Sequence, residues 1–273
     1  PGGFAPDGGH AGSGAAARTL FRDIAVTADS VSVGIFGTAH GGSGSQGGSG
    51  SRGGSGSAGA PGSNGGQGGD GATGLSAIER LSLDVATGLQ LTILLDARGG
   101  QGANGGQGGA SGSGRTIFST STDGVGGLVD TTIYAGNGRG GDGGDGGDAI
   151  ARVLETTING GTAADNVLLF MSATGGLSGT GGGGLAGVAS SSSTSGTDFV
   201  STSVVQGVLA GQPGAGGSPG VGVVIIENSW IDLGDGNDSL RFDLLATGPG
   251  GGRVRVSGNT FDGGAGIDTL VLG

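Results

Sequence analysis

The sequence lacks cysteine and lysine, and it contains few aromatic and few charged residues. Of its 273 residues none is Cys, 4% are aromatic and 12% are charged. The absence of Cys excludes a disulfide framework and a thiolate metal site. So few aromatic and charged side chains are unusual for a domain with one conventional hydrophobic core. A repeat architecture, in which each unit buries its apolar face against its neighbours, suits this composition better.

Positive charge is also scarce, and this limits the possible partners. Eleven Arg oppose 22 acidic residues, which gives a formal net charge of −11. Nucleic-acid binding requires clustered Arg and Lys, so it is not expected. No apolar run approaches the ~18 residues of a membrane span. Asp accounts for 19 of the acids and Glu for 3, a preference that favours turns and sites for hard cations such as calcium.

Glycine is what the chain has in abundance, and its spacing is regular. Gly supplies 75 residues, and it fills every third position of the tract 41–74. Shorter tracts continue the frame at 99–110, 138–148 and 211–220, whereas 175–187 keeps it poorly. Only Gly fits a crowded three-fold contact. The tracts are therefore predicted either to pack as polyglycine II helices or to form flexible, solvated linkers.

The triplet pattern resembles that of springtail antifreeze proteins and of the tips of certain phage tail-fibre adhesins. Both are built from Gly-rich triplets, and the resemblance implies a packed, Gly-rich face that recognises ice or a cell surface. Within one tract, Asp142, Asp145 and Asp148 repeat every three residues. On a helix of three residues per turn they would form a stripe of surface charge, spaced about 9 Å apart.

Apolar, β-branched segments alternate with the glycine tracts and predict strands. They begin near residues 19, 77, 116, 151 and 198, and most alternate polar and apolar residues as half-buried strands do. Repeating units with insertions of variable length are typical of solenoids. The predicted fold class is therefore all-β, a parallel β-solenoid or β-roll with Gly-rich inserts. An antiparallel sandwich of hairpins stays open as the alternative.

The most specific motif lies near the C-terminus. Residues 263–271, GGAGIDTLV, fill the pattern G-G-x-G-x-D-x-U-x without a mismatch, where U is a large apolar residue. Residues 233–241, LGDGNDSLR, fill it with Leu233 as the one mismatch. The pattern resembles the RTX family, the haemolysin-type calcium-binding repeats of bacterial surface and extracellular proteins. The resemblance implies loops in which Gly turns carbonyl groups inward and Asp adds a carboxylate, which suits Ca²⁺.

Carried over position by position, the resemblance assigns Ca²⁺ as the cofactor and names its ligands. Asp238 and Asp268 take the position of the ligand Asp, and Asp232 and Asp262, just before the motifs, are extra candidates. The remaining loop positions are Gly234, Asp235, Gly236, Gly263, Gly264, Ala265 and Gly266. Family repeats follow one another directly, whereas these motifs lie 30 residues apart. Either they stack as neighbouring rungs, or they are ordinary Gly-Asp turns that do not stack.

Three regions are predicted from these features. They are a Gly-rich N-terminal segment (1–18), a β-solenoid (19–231) and an RTX-like calcium-binding β-roll (232–273). The Gly-rich triplet inserts of the solenoid are 41–74, 99–110, 138–148, 175–187 and 211–220.

No catalytic constellation is present. The chain has no nucleophile elbow and no HExxH, and its two histidines, His10 and His40, lie in Gly-rich flanks where catalytic geometry is hard to preorganise. The protein is therefore predicted not to be an enzyme. A solenoid enzyme that acts on polysaccharides is the alternative.

Together these features predict a secreted, extracellular structural protein of a bacterium, exported by type I secretion. External calcium would stabilise it, and copies would self-assemble into a surface fibre or layer. An adhesin or ice-binding module, with cell-surface glycans as partners of the adhesin, is the main alternative. Because the chain starts at Pro1 without Met or a signal peptide, we expect it to be a piece of a longer polypeptide.

Overall fold

The computed structural model describes most of the chain. It covers residues 6–51, 62–109, 113–122, 125–134, 137–185, 192–195, 200–206 and 210–273. Within these ranges the protein is all-β, with no helix and therefore none that could cross a membrane. Its large sheet is parallel. The all-β prediction is confirmed, and the antiparallel alternative is wrong for this sheet.

The described residues form 17 strands in three sheets, of 11, four and two strands. In chain order the strands are β1 (Ala17–His40), β2 (Gly74–Arg98), β3 (Ser113–Thr122), β4 (Val125–Tyr134), β5 (Ala149–Leu154), β6 (Thr157–Asn159), β7 (Asn166–Thr174), β8 (Ser192–Ser195), β9 (Val200–Gln206), β10 (Gly222–Glu227), β11 (Trp230–Asp232), β12 (Asp235–Gly236), β13 (Ser239–Thr247), β14 (Gly252–Ser257), β15 (Thr260–Asp262), β16 (Ala265–Gly266) and β17 (Thr269–Leu272).

The large sheet and the two-stranded sheet together are organised in five tiers, each paired in parallel with the next. We define tier 1 as β1, tier 2 as β2, tier 3 as β5 to β7, tier 4 as β10 to β13 and tier 5 as β14 to β17. β1 pairs with β2, and β5, β6 and β7 pair with successive parts of β2. Tier 4 pairs strand by strand with tier 3 and with tier 5.

One side of each tier faces a shared apolar core. Side chains of a strand alternate between its two faces, so the inward positions of successive tiers line up in columns. Leu91, Val167 and Leu240 form one such buried column across tiers 2 to 4. Near the C-terminal end of the core, the rings of Phe242 and Phe261 pack with their centroids 5.0 Å apart. The register between tiers thus decides which residues are buried.

A left-handed residue marks the same corner of every tier. Asp23, Arg80, Glu155 and Asn228 have φ of 57°, 57°, 52° and 53°, and Gly258 has φ of 66°. Asn and Gly adopt this conformation readily, whereas it is uncommon for Arg and Glu. The stacked tiers above and below must therefore hold the corner in place at Arg80 and Glu155.

The glycine tracts form a second body, which we call the glycine bundle. It consists of seven segments: 6–16, 41–51, 62–73, 99–109, 137–148, 175–185 and 210–221. Each of the first four tiers is entered from one segment, and each of the first three is left through the next. Residues 1–5, 52–61, 110 and 186–187 of the predicted Gly-rich regions lie outside the described residues.

Hydrogen bonds join the segments at every third residue, as a helix with three residues per turn requires. In segment 62–73, the N–H groups of Gly65, Gly68 and Gly71 donate to carbonyl groups of the parallel segment 137–148 at 2.7–2.8 Å. The N–H groups one residue later donate to the antiparallel segment 41–51 at 2.7–2.9 Å. These parts of the tract 41–74 are therefore packed and not solvated linkers.

The third residue of a triplet points outward and supplies side-chain acceptors. Asp142, Asp145 and Asp148 each accept, through Oδ1, a backbone N–H of segment 210–221 at 2.6–2.9 Å. Oδ1 of Asn64 likewise accepts the backbone N–H of Arg139 at 3.0 Å. The stripe of Asp predicted as surface charge is thus also a set of hydrogen-bond acceptors between segments.

Segment 210–221, which leads into tier 4, lies at one end of the bundle. In the described residues one of its three frames has no hydrogen-bond partner. Its N–H groups at Gly211, Gly214, Gly217 and Gly220 donate to segment 175–185, and a second frame donates to the Asp side chains. Two positions of the remaining frame are Pro213 and Pro219, which are exposed. Since proline has no N–H, this edge offers few donors to a further strand or segment.

The four-stranded sheet is inserted between segments of the bundle. β3 and β4 form an antiparallel hairpin, β8 and β9 form another, and β4 pairs with β9 in parallel. The predicted boundary between residues 231 and 232 falls inside β11, which pairs with β6 and β15.

Replacement of Gly141 by Ala should destabilise the bundle. A Cβ there would overlap the backbone of Gly66, and overpacking of this kind costs about 1–3 kcal/mol. Gly183→Ala is the matched control, because no atom lies within 4 Å of its Cβ position. Denaturant unfolding followed by circular dichroism should show a loss for Gly141→Ala only. Equal stability of the two variants would contradict the packed bundle.

Candidate cation site

The two C-terminal motifs form loops that stack directly on each other. Each loop follows a short strand, β11 or β15, and leads into β13 or β17. Within the loops, β12 and β16 pair in parallel. Of the two arrangements left open by the sequence, the structure therefore shows the stacked one. The spacing of 30 residues between equivalent positions of the two motifs is the step from tier 4 to tier 5.

The two loops also share one backbone conformation. At motif position 2, Gly234 and Gly264 have φ of 77° and 75°. At position 4, Gly236 and Gly266 have φ of 152° and 151°. L-amino acids with a Cβ rarely adopt these values. The glycine pattern of the motif is therefore required by the turn itself.

A third loop of the same length lies at the equivalent position of tier 3, and the sequence did not reveal it. Its backbone differs, since Gly161 and Ala163 lack the positive φ of Gly234 and Gly236. Residues 160–165, GGTAAD, occupy the equivalent position between β6 and β7. Asp165 lies 73 residues before Asp238 and contacts it. The signal that could have identified this loop is Gly-Gly followed by Asp at the motif spacing. It was obscured because Ala163 replaces the glycine of motif position 4.

The Asp residues of the three loops form a ladder of carboxylates. The N–H of Leu89 in tier 2 donates to Oδ1 of Asp165 at 2.6 Å. The N–H of Asp165 donates to Oδ1 of Asp238 at 2.7 Å, and the N–H of Asp238 donates to Oδ1 of Asp268 at 3.1 Å. Each carboxylate therefore accepts the N–H of the tier before it, and the ladder joins tiers 2 to 5.

The extra candidates, Asp232 and Asp262, lie beside this ladder. They are register partners at the ends of β11 and β15. Oδ1 of Asp232 accepts the N–H of Gly234 at 3.1 Å, and Oδ1 of Asp262 accepts the N–H of Gly264 at 3.0 Å. These bonds fix the start of each loop.

The other predicted loop residues complete the two loops. Asp235 and Ala265 are register partners in the β12–β16 pair. Gly263 lies against the carboxylate of Asp268, with no room for a Cβ between them. All predicted residues are thus brought together in the two stacked loops.

Asp238 is the residue of the site whose buried carboxylate is incompletely hydrogen-bonded. Its exposed fraction is 2%, and its Oδ2 is buried without a hydrogen-bond partner. Burial raises the pKa of its carboxyl, and the negative charges of Asp268 and Asp235 raise it further. A buried acceptor without a partner costs about 1–3 kcal/mol. This oxygen fits a bound cation, since a cation would supply the missing positive charge.

The donor set is one of oxygen only, as calcium prefers. In the described residues no group of three or more His, Cys, Asp or Glu side chains could hold a metal by itself. A cation at Asp238 would therefore also need oxygen ligands from backbone carbonyl groups of the loops. Comparison with known proteins gives no match to the chain: no family model, no curated protein and no solved structure.

Replacement of Asp238 by Asn should stabilise the chelated protein by about 1 kcal/mol or more, because it removes the buried charge. The direction of this effect follows from the link between proton binding and folding. The pKa of Asp238 in the fold is raised above the ordinary 3.8. The protonated carboxyl therefore stabilises the fold relative to the ionised one, and this contribution is complete below pH 3.8. The contribution is lost as the pH rises through the raised pKa. The chelated parent chain should lose this contribution toward neutral pH, and the variant should not.

In excess calcium the order should reverse. A cation at a hundred times its Kd adds about 2.7 kcal/mol to the stability of the parent chain, and the variant should lose this gain. Asp29→Asn, at an exposed position outside the loops, removes the same charge and serves as control. Thermal unfolding with chelator and with calcium measures both effects. An Asp238→Asn variant that keeps the full calcium-dependent gain of the parent chain would contradict the cation assignment.

Proposed function

We propose that this chain is a secreted, extracellular structural protein of a bacterium, a calcium-stabilised β-solenoid of RTX type with polyglycine II inserts. Type I export follows from the resemblance to RTX proteins. The observation that carries the proposal is the pair of stacked loops of one backbone conformation, with a buried carboxylate oxygen that lacks a partner in the described residues. The in-register tiers and the three-residue hydrogen-bond period of the bundle support the solenoid and polyglycine II assignments.

The residues that would hold Ca²⁺ are the carboxylates of Asp238 and Asp268 and the carbonyl groups of loops 233–238 and 263–268, with Asp232 and Asp262 beside them. Bound calcium would neutralise the buried charge of Asp238 and tie tier 4 to tier 5. Extracellular sites of this type work at about 10⁻⁴–10⁻³ M calcium. In the cytosol the C-terminal tiers would lack this stabilisation, which favours export before folding.

Self-assembly is supported by the surface of tier 5. Val254, Val256, Leu270 and Leu272 continue the inward columns of tier 4, yet their exposed fractions are 50%, 49%, 53% and 71%. In the described residues no strand pairs with the outer edge of tier 5 or of β1.

Joining tier 5 of one copy to tier 1 of the next would cover this surface. β1 is a suitable partner because its inward residues, such as Phe21, Val31 and Val33, are only partly buried. The contact would also extend the parallel hydrogen bonding beyond one chain. It is heterologous, since two different surfaces meet, so it generates a fibre or, with lateral contacts, a layer.

Leu272→Asp should block this assembly, because burial of one Leu contributes about 1.5–3 kcal/mol and a buried charge opposes it. Val271→Asp is the matched control, since Val271 pairs with Arg241 on the outer face. Light scattering and electron microscopy at millimolar calcium should show fibres or layers for the parent chain and for Val271→Asp. A parent chain that stays monomeric under these conditions would end the assembly proposal.

A recognition role for the bundle is the second candidate, and one observation favours it. Segments 41–51, 99–109 and 175–185 contain no charged residue, whereas each of the other segments except 210–221 carries charge. Gln101, Asn104 and Gln107 are exposed on this uncharged row. A regular, uncharged face suits an ice-binding or adhesive module.

Thermal hysteresis of the monomer, or its binding to cells and glycans, would support this second candidate. Gln107→Lys places a charge on the uncharged row, and Gln67→Lys, at an exposed position of segment 62–73, is the control. The activity should fall for Gln107→Lys alone. A monomer that shows neither hysteresis nor binding would exclude this role.

A further inference from the structure

The same backbone N–H has two different acceptors in the three stacked loops. In tiers 4 and 5 the N–H of Gly234 or Gly264 donates to the Asp that precedes the loop, Asp232 or Asp262. In tier 3 the equivalent N–H, that of Gly161, donates to Oδ2 of the ladder residue Asp165 at 3.2 Å. The acceptor therefore changes from one loop to the next.

Two features of tier 3 accompany this difference. The φ of Gly161 is not positive, as those of Gly234 and Gly264 are, and the residue before the loop is Asn instead of Asp. Asn159 is the register partner of Asp232 in tier 3, and it ends β6 as Asp232 ends β11. An ionised carboxylate accepts a hydrogen bond about twice as strongly as a neutral group does. Asp232 can therefore hold the N–H of Gly234, whereas the amide of Asn159 must compete with the carboxylate of Asp165 for the N–H of Gly161.

The consequence appears at the ladder carboxylates. Both oxygens of Asp165 accept N–H groups, from Leu89 and Gly161. Asp238 has only one bonded oxygen, because the N–H of Gly234 goes to Asp232, and its Oδ2 is left buried without a partner. Both carboxylate oxygens of Asp165 thus have hydrogen-bond donors within the chain, whereas Oδ2 of Asp238 has none in the described residues.

We infer that the residue before each loop selects whether that loop binds a cation. Asp at this position withdraws the loop N–H and frees a ladder oxygen for the cation, as in tiers 4 and 5. Asn leaves the N–H on the ladder carboxylate, so loop 160–165 needs no cation and ends the row of sites at tier 3. This inference rests on the proposed calcium binding of the C-terminal loops.

Asn159→Asp tests the inference as a gain of function. The new carboxylate takes the N–H of Gly161, which releases Oδ2 of Asp165, so calorimetric titration with CaCl₂ should show one more bound ion per chain than in the parent. Thr157→Asp is the matched control, because Thr157 is exposed on the same strand and the variant adds the same charge two residues earlier. The double variant Asn159→Asp/Asp165→Asn should return to the parent stoichiometry.

Terbium provides a second measurement on the same variants. Trp230, the one tryptophan of the chain, lies two residues before Asp232 and can sensitise a lanthanide in the neighbouring loops. The Asn159→Asp variant should show an additional sensitised binding step.

The outcomes separate the two proposals. Calcium binding by the parent chain without an extra ion in Asn159→Asp would overturn this inference alone, as would an equal gain in Thr157→Asp. A parent chain that binds neither calcium nor terbium would overturn the proposed calcium binding as well.

Discussion

Backbone hydrogen bonds between parallel neighbours set the register of the whole molecule. They run without a break from the glycine segments into the strands. The N–H of Gly71 donates to the carbonyl of Asp145, and the N–H of Gly74, at the start of β2, donates to that of Asp148. β2 then pairs with β5 from Gly74 and Ala149 onward. The two glycine segments and the two strands therefore share one alignment, and a shift in either would displace the other.

This shared alignment explains why inserts of different length are tolerated. Equivalent residues in successive tiers are 57, 75, 73 and 30 positions apart. Long inserts run out along the bundle and return to the same point, so each tier starts in phase with the one before. The short step from tier 4 to tier 5 needs no glycine segment, since a turn at 248–251 replaces it.

Much of this could be predicted from local pattern, and the failures have physical causes. The three-residue Gly frame and the two C-terminal motifs are local, so they were visible in the sequence. The register between tiers is not local, because it depends on how far each insert extends before it returns. Loop 160–165 was missed because Ala163 can occupy its turn in place of Gly. The left-handed corner at Arg80 and Glu155 is imposed by stacking, and no residue preference indicates it.

Three buried acidic residues, Glu79, Asp165 and Asp238, differ in how the fold stabilises their carboxylates. Glu79 lies between Arg22 and Arg152, and the hydrogen bond from Arg22 is the main cause that holds its pKa below the ordinary value. Asp165 accepts two N–H groups, although burial still raises its pKa. Asp238 has one bonded oxygen and nearby negative charges. Both carboxylate oxygens of Glu79 and of Asp165 thus have hydrogen-bond donors, whereas Oδ2 of Asp238 has none in the described residues. Under the proposed calcium binding, the C-terminal tiers would gain most from the cation.

The glycine bundle and the stacked strands also differ in how well their outer surfaces suit assembly. At segment 210–221 the glycine bundle is closed, because Pro213 and Pro219 have no N–H to offer a further neighbour. At tier 5 the apolar columns continue outward with Leu270 and Leu272 exposed. Growth by addition of tiers would therefore proceed through the strands. If calcium binds as proposed, growth would begin at the tier that the cation stabilises, so that export, folding and assembly would respond to one signal.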